Sequence, residues 1–248
     1  MKSSSWLTIP KANPNAKLRL FCFPYSGAPA SMYYQWANLL PDSIEVCPVQ
    51  YPGHGTRIAE PLMLDLPKLI HDAGNALNPY FDKPFAFFGH SMGALVSFEL
   101  ARWLRRNNGA SPLYMFVSGH TAPQLPDTDE PIHTLPHDQF VERLRTLNGT
   151  PEDVLQNDEL RDLVVPILRA DFTICETYAY QPEPPFDFPI CALGGLSDHY
   201  VTRQSLQSWQ EQTTIPTSVR MFPGDHFYLN NSRMLLIQVI ARELLPYL

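Results

Sequence analysis

The sequence predicts an α/β fold: a mostly parallel central sheet with helices on both faces and one helical insertion. Three observations carry this expectation. Short β-forming runs alternate with segments of helical apolar spacing, one run enters a helix directly through Gly89-His90-Ser91-Met92-Gly93, and the alternation is interrupted once, by helical segments with no strand between them. Parallel neighbours cannot be closed by a tight hairpin, so strands and helices that take turns imply right-handed crossovers and a sheet buried on both faces.

Residues 18–23 and 44–49 are rich in β-formers and are ended by Pro24 and by Pro52-Gly53, as strands are. Residues 85–88 and 113–117 have the same character. Between these runs, 33–40, 62–80 and 94–104 carry helical spacing; in the last, Leu95, Phe98, Ala101 and either Trp103 or Leu104 recur every three or four residues. After Gly119 the rhythm breaks. A stretch rich in Pro, Asp and Thr (121–131) leads into two helical segments, about 136–147 and 160–178. Alternation resumes with a strand at 190–193, a helix near 204–212, a strand at 218–222 and a helix at 233–245. The chain is therefore expected to form one domain over 1–248, with 121–187 inserted as a helical lid.

Composition narrows the function. The 25 prolines and 12 glycines of the 248 residues fall well under the roughly 25–30% of low-complexity chains. A net charge of −7 argues against a nucleic-acid binder, which needs a basic face to release phosphate counterions. No apolar run approaches the roughly 18 residues that span a bilayer, and the stretch before Ala28-Pro29-Ala30 is too short and interrupted for a signal peptide. A cytoplasmic protein without membrane contact is expected. Cys22, Cys47, Cys175 and Cys191 show no Cys-x-x-Cys spacing, so reduced thiols and no metal site are expected.

The segment from Phe85 to Gly93 is a strand running into Gly-x-Ser-x-Gly ahead of a helix, the setting of a nucleophile elbow. The turn is so sharp that only small residues fit two before and two after the serine, and the helix N-terminus presents free amides there. Ser91 is the candidate nucleophile. A serine hydroxyl is weak near neutral pH, so it needs a base, and the base needs a carboxylate to fix its tautomer. The expected chain order is Ser, acid, His. Of His120, His133, His137, His199 and His226, only His226 directly follows a late strand, in Phe222-Pro223-Gly224-Asp225-His226, and it is the candidate base. His133 and His137 fall in or beside the insertion and read as surface residues; His199 comes too early in the topology. Asp198, beyond the run Ile190-Cys191-Ala192-Leu193-Gly194-Gly195, is the candidate acid. Asp225 is its rival, but side chains adjacent in sequence diverge and turn chemistry accounts for it. An oxyanion needs two preorganised amides: that of Met92, and one from the loop after the first strand, either Tyr25 or its neighbour Ser26.

These pieces share an order with Phe23-Pro24-Tyr25-Ser26-Gly27, Pro52-Gly53-His54-Gly55, Gly195-Leu196-Ser197-Asp198 and Gly224-Asp225-His226-Phe227. Over nearly the whole chain they resemble the type II thioesterases of nonribosomal peptide and polyketide synthesis, a branch of the α/β-hydrolases. That family usually has Phe-Pro-aromatic-Ala-Gly-Gly in the first loop, whereas this chain has Ser26 and Ala28 at two of those positions. The resemblance implies hydrolysis of acyl groups from the phosphopantetheine arm of acyl or peptidyl carrier protein domains. Ser91 would be transiently acylated and His226 would activate the water. No cofactor is implied, phosphopantetheine being part of the substrate, and His54 is carried over as a feature of the fold.

A thioester suits such a site, since a thiolate departs without the acid help an amine requires. The lid is expected to cover the acyl chain and meet the carrier, with Phe140, Leu144, Leu147, Ile167, Leu168, Phe172 and Tyr178 as candidate pocket residues. Arg102, Arg105 and Arg106 form the densest basic cluster, either a docking patch for an acidic carrier or a solvated helix face. A monomer is expected. Two other activities fit the same three residues: a carboxylesterase or acyl-CoA thioesterase acting on small molecules, and an acyltransferase to an alcohol or amine.

Overall fold

In a computed structural model that describes residues 4–126 and 129–248, six apolar segments form one parallel sheet: β1 (Leu18–Phe23), β2 (Ile44–Pro48), β3 (Phe85–His90), β4 (Tyr114–Ser118), β5 (Ile190–Gly195) and β6 (Ser218–Phe222). Their order is β2-β1-β3-β4-β5-β6 and every pairing among them is parallel. Residues 1–3 of the expected domain, and 127–128 of the expected lid, lie outside the described residues. β1 to β5 are buried along their whole length, whereas β6, at the sheet edge, is mostly half-buried.

Alternating side chains divide the core in two. Phe21, Phe23, Phe85 and Phe87 point to one face, under α2 (Leu66–Leu77) and α3 (Met92–Arg106); Leu20, Cys22, Ala86 and Phe88 point to the other, under α1 (Trp36–Leu39) and the C-terminal α9 (Arg233–Leu244). Aromatic edges interlock on both faces, as in Phe21 on Phe81 at 5.1 Å and Trp36 on Phe88 at 4.8 Å between ring centres, a geometry favoured by the ring quadrupoles.

Between β4 and β5 the chain forms α4 (His137–Leu147), α5 (Glu152–Gln156) and α6 (Asp158–Glu176), with a small core of their own that includes Phe140, Leu144, Leu155, Val165 and Leu168. The short α7 (Arg203–Gln207) and α8 (Tyr228–Asn231) complete the set. Among the described residues no helix is long and apolar enough to cross a membrane.

Element boundaries differ from the sequence expectation where caps and prolines act. The helix expected over 62–80 starts at Leu66 because the Asp65 side chain accepts from the Lys68 amide, with Pro67 in the first turn. It gives way at Asn78–Tyr80 to a 3₁₀ turn containing Pro79. The expected helices at 33–40 and 204–212 likewise divide into α-helical and 3₁₀ pieces. α5 was not anticipated; Pro151 precedes its first turn, and five residues are too few for a period to show.

The arginine cluster is engaged within the molecule. Arg102 is buried and bonds Glu99, and Arg105 and Arg106 both reach Glu183 on the chain entering β5. Three guanidinium groups thus share two carboxylates, and Arg106 stays half-exposed.

Register brings the strand ends to one edge. Phe23 lies opposite Gly89, His90 opposite Ser118, and Gly195 opposite Phe222. The loops carrying Tyr25 and Ser26, Ser91, Asp198 and His226 therefore all leave the carboxyl edge of the sheet, where ligands bind in open α/β folds.

Candidate active site

Ser91 sits between β3 and α3 with φ 51° and ψ −120°, a conformation costly for any residue bearing a Cβ. Sheet and helix leave no room for a milder one. A Cβ on Gly93 would lie 2.0 Å from the Phe23 carbonyl oxygen, and one on Gly89 would lie 2.1 Å from that of Gly93. Gly93→Ala is accordingly expected to lose roughly 3 kcal/mol or more of stability, because rigid backbone must move to admit the methyl; a denaturant midpoint close to wild type would contradict this packing. The Ser91 side chain makes no capping bond to α3, so its hydroxyl is not spent on the helix. The Met92 and Gly93 amides, at the first two helical positions, have no intrahelical acceptor.

His226 and Asp198 meet across the ends of β6 and β5. His226 Nδ1–H donates to Asp198 Oδ2 at 2.8 Å, while Asp198 Oδ1 accepts from the Tyr200 and Val201 amides at 2.9 and 3.1 Å. The Asp198 side chain is fully covered, that of His226 20% exposed. Burial opposes the charge on Asp198, but the His226 imidazole and the two amides outweigh it and hold its carboxyl below the ordinary carboxylate value. With Nδ1 donating, Nε2 is left as the basic nitrogen. Asp225 makes a local turn instead, its Oδ1 accepting from the Phe227 amide at 2.9 Å.

Ser91, Met92, Tyr25, Ser26 and His226 line a single cavity of about 570 Å³. Its far side comes from the β4–β5 helices: Leu144, Leu147, Leu168, Phe172 and Tyr178 line it, whereas Phe140 and Ile167 do not. Those two depart from the expectation because they pack inward. Phe140 lies under the Arg169 guanidinium, 4.2 Å from its ring centre, and edge-on to Phe172; Ile167 is buried. Among the described residues no group of three or more His, Cys, Asp or Glu side chains is placed to hold a metal ion.

In the loop after β1, the Ala28 amide bonds the Tyr25 carbonyl at 3.0 Å and the Gly27 amide bonds Asp171 at 2.7 Å. Both are committed, which leaves the amides of Tyr25 and Ser26 as the loop's candidates for an oxyanion.

Two polar groups near the site carry no function in the sequence reading. His90, fully buried behind His226 with ring centres 5.1 Å apart, bonds Ser118 Oγ at 2.8 Å, and Ser118 in turn meets the Tyr228 hydroxyl at 2.6 Å. Burial, reinforced by His226, pushes the His90 pKa well below the usual imidazole value. The second group is His54, whose Nε2 meets Asp171 Oδ2 at 2.9 Å and whose Nδ1 meets the Pro52 carbonyl at 2.9 Å. Burial disfavours a charged His54, yet these two acceptors raise its pKa above the ordinary value. The signal for Asp171 was present in the chain: it falls on the apolar stripe of Ile167, Leu168, Ala170 and Ile174, all buried, where an unpartnered carboxylate would be costly.

A parallel sheet with a strand–serine–helix turn and a paired histidine and aspartate at its carboxyl edge defines an α/β-hydrolase. Comparison with known proteins narrows the class. The thioesterase domain family matches residues 18–243. The gramicidin S biosynthesis protein GrsT of Aneurinibacillus migulanus is 46% identical over 97% of this chain and 94% of its own. Among solved structures, the type II thioesterase BorB from the borrelidin biosynthetic cluster superposes with a TM-score of 0.88 at 36% identity, covering 98% of this chain and 99% of that one. ClbQ from the colibactin NRPS/PKS pathway gives 0.89 at 31% identity, over 94% and 98%. The chain belongs to the thioesterase domain family, and is a hydrolase acting on thioesters.

Proposed function

We propose that the chain is a type II thioesterase that hydrolyses acyl groups from the phosphopantetheine arm of carrier proteins serving a nonribosomal peptide or polyketide synthase. Ser91 acts as nucleophile, His226 as base and Asp198 as the orienting carboxylate. The observation that carries the reading is the 2.8 Å bond from His226 Nδ1 to Asp198 Oδ2 at the rim of a cavity that His226 shares with Ser91.

In this mechanism Ser91 Oγ attacks the thioester carbonyl carbon as His226 Nε2 takes the hydroxyl proton. The tetrahedral oxyanion is held by the Met92 amide and by the Tyr25 or Ser26 amide, each donor contributing roughly 3 kcal/mol to lowering the barrier. Collapse breaks the C–S bond, and His226 returns its proton to the departing phosphopantetheine sulfur. A water, deprotonated by the same nitrogen, then attacks the acyl-serine; collapse releases the carboxylic acid and reprotonates Ser91. The helices between β4 and β5 serve as the lid, with Leu144, Leu147 and Phe172 against the acyl chain.

The biosynthetic setting of GrsT, BorB and ClbQ supports carrier-bound substrates over small ones. The test is a panel of acylated carrier proteins beside N-acetylcysteamine thioesters and simple esters of the same acids. Contacts remote from the carbonyl should raise turnover, so kcat/KM for carriers is expected to be at least about 100-fold higher. Equal values would leave a small-molecule esterase, and product appearing on an added alcohol or amine rather than water would make the enzyme an acyltransferase.

A further inference from the structure

The geometry points to Asp171 as a positioning residue for this reaction: from the lid helix α6 it holds the oxyanion loop in its working shape, so that the hole is complete only while the lid is seated. The inference rests on the mechanism proposed above and adds a residue to it.

The contacts of Asp171 Oδ2 are with Gly27 N–H at 2.7 Å and His54 Nε2–H at 2.9 Å. His54 Nδ1 lies 2.9 Å from the Pro52 carbonyl. A carbonyl and a carboxylate both only accept, so both ring nitrogens carry protons and the pair is an imidazolium with a carboxylate. Each side chain is 3% exposed. A buried ion pair is a costly way to attach a helix, since apolar packing of the same volume serves as well or better. The Gly27 amide supplies the reason for a carboxylate there.

Gly27 is the third residue of the Tyr25–Ala28 turn and has φ +78°, the left-handed value that a type II turn demands at that place. Its amide belongs to the central peptide of the turn. The alternative shape of such a turn is reached by rotating that peptide, and anchoring its N–H on Asp171 prevents the rotation. The same bond ties the turn to α6, and this tether holds the upstream peptides that carry the Tyr25 and Ser26 amides. The other holds on this segment come from the body of the domain: the Tyr33 hydroxyl donates to the Phe23 carbonyl, the Tyr51 hydroxyl to the Pro24 carbonyl, and Gln50 Oε1 accepts from Ala30. Asp171 comes from the lid, as does Leu168, whose Cδ2 lies 2.7 Å from where a Gly27 Cβ would be. Lid seating and oxyanion geometry thus share one helix face.

The test compares Asp171→Asn, which keeps an acceptor for the Gly27 amide, with Asp171→Ala and Asp171→Leu, which offer none. Intact-mass detection of a fluorophosphonate adduct on Ser91 comes first, in the wild-type protein. Its absence there would defeat the serine mechanism itself, whereas its presence leaves the variants to judge Asp171 alone. Thermal unfolding establishes that each variant is folded. On an acyl thioester, a non-accepting variant is expected to lose about 100-fold in kcat, the scale of a misplaced oxyanion donor, with KM within about twofold. Asp171→Asn is expected to recover at least tenfold of that loss. Equal kcat in the Asn and non-accepting variants, or a loss confined to KM, would overturn the assignment. So would failure of both non-accepting variants to fold while the Asn variant folds, for the carboxylate would then serve stability.

Discussion

Replacing Ser91 by alanine is expected to lower kcat on acyl thioesters by about 10⁶-fold, the scale seen when a hydrolase loses its attacking hydroxyl, while the protein stays folded. The second half of that expectation comes from the elbow. The Ser91 side chain makes no bond to the α3 amides, so removing the oxygen deletes no structural contact, and alanine keeps the same strained φ of 51°. Glycine separates the two roles further. Without a Cβ it adopts such a conformation at little cost, so Ser91→Gly should be as inactive as the alanine variant yet more stable than it by about 1–2 kcal/mol. The ordering in thermal unfolding would then be Gly above Ala, with Ala close to wild type. Turnover retained in either variant would remove Ser91 from the mechanism. A glycine variant less stable than alanine would mean that the elbow is not strained as its dihedrals indicate.

The elbow was legible in the chain because its determinants are local. A buried strand, two glycines flanking x-Ser-x and a helix starting at once leave a signature within about ten residues, and the six strands declare themselves by β-forming runs ended at Pro or Gly. What spans long separations was less legible. His54 and Asp171 stand 117 positions apart, and the motif around His54 read as a turn beside the site because nothing in its spacing announces a partner on a later helix. The segment between β4 and β5 shows the same limit. Its helices followed from periodicity, but period alone cannot say which apolar residues face the cavity and which face one another, and Phe140 and Ile167 went to the interior. Likewise, three arginines on one helix look like a free cation cluster until Glu183, on the chain entering β5, folds back onto all three.

Which carboxylate serves His226 is decided by a pair of conservative substitutions. Asp198→Asn is expected to lower kcat by about 10⁴-fold and Asp225→Asn by less than about threefold. At position 198 the asparagine carbonyl can go on accepting from the Tyr200 and Val201 amides, the bonds that shape this loop. Its NH₂ group then faces His226 Nδ1, where a carboxylate oxygen now lies at 2.8 Å. A donor there requires Nδ1 to accept, which moves the ring proton to Nε2, the nitrogen that the proposed mechanism uses as its base. The loss is therefore one of tautomer, and it should appear in kcat with the fold intact. At position 225 the bond in question is from the Phe227 amide to Oδ1, which an asparagine carbonyl accepts equally well, and no ring nitrogen depends on it. Steady-state kinetics of both variants, with thermal unfolding alongside, give the ranking. A larger loss at 225 than at 198 would assign the acid to the wrong loop, and equal small losses would mean that His226 works without a carboxylate.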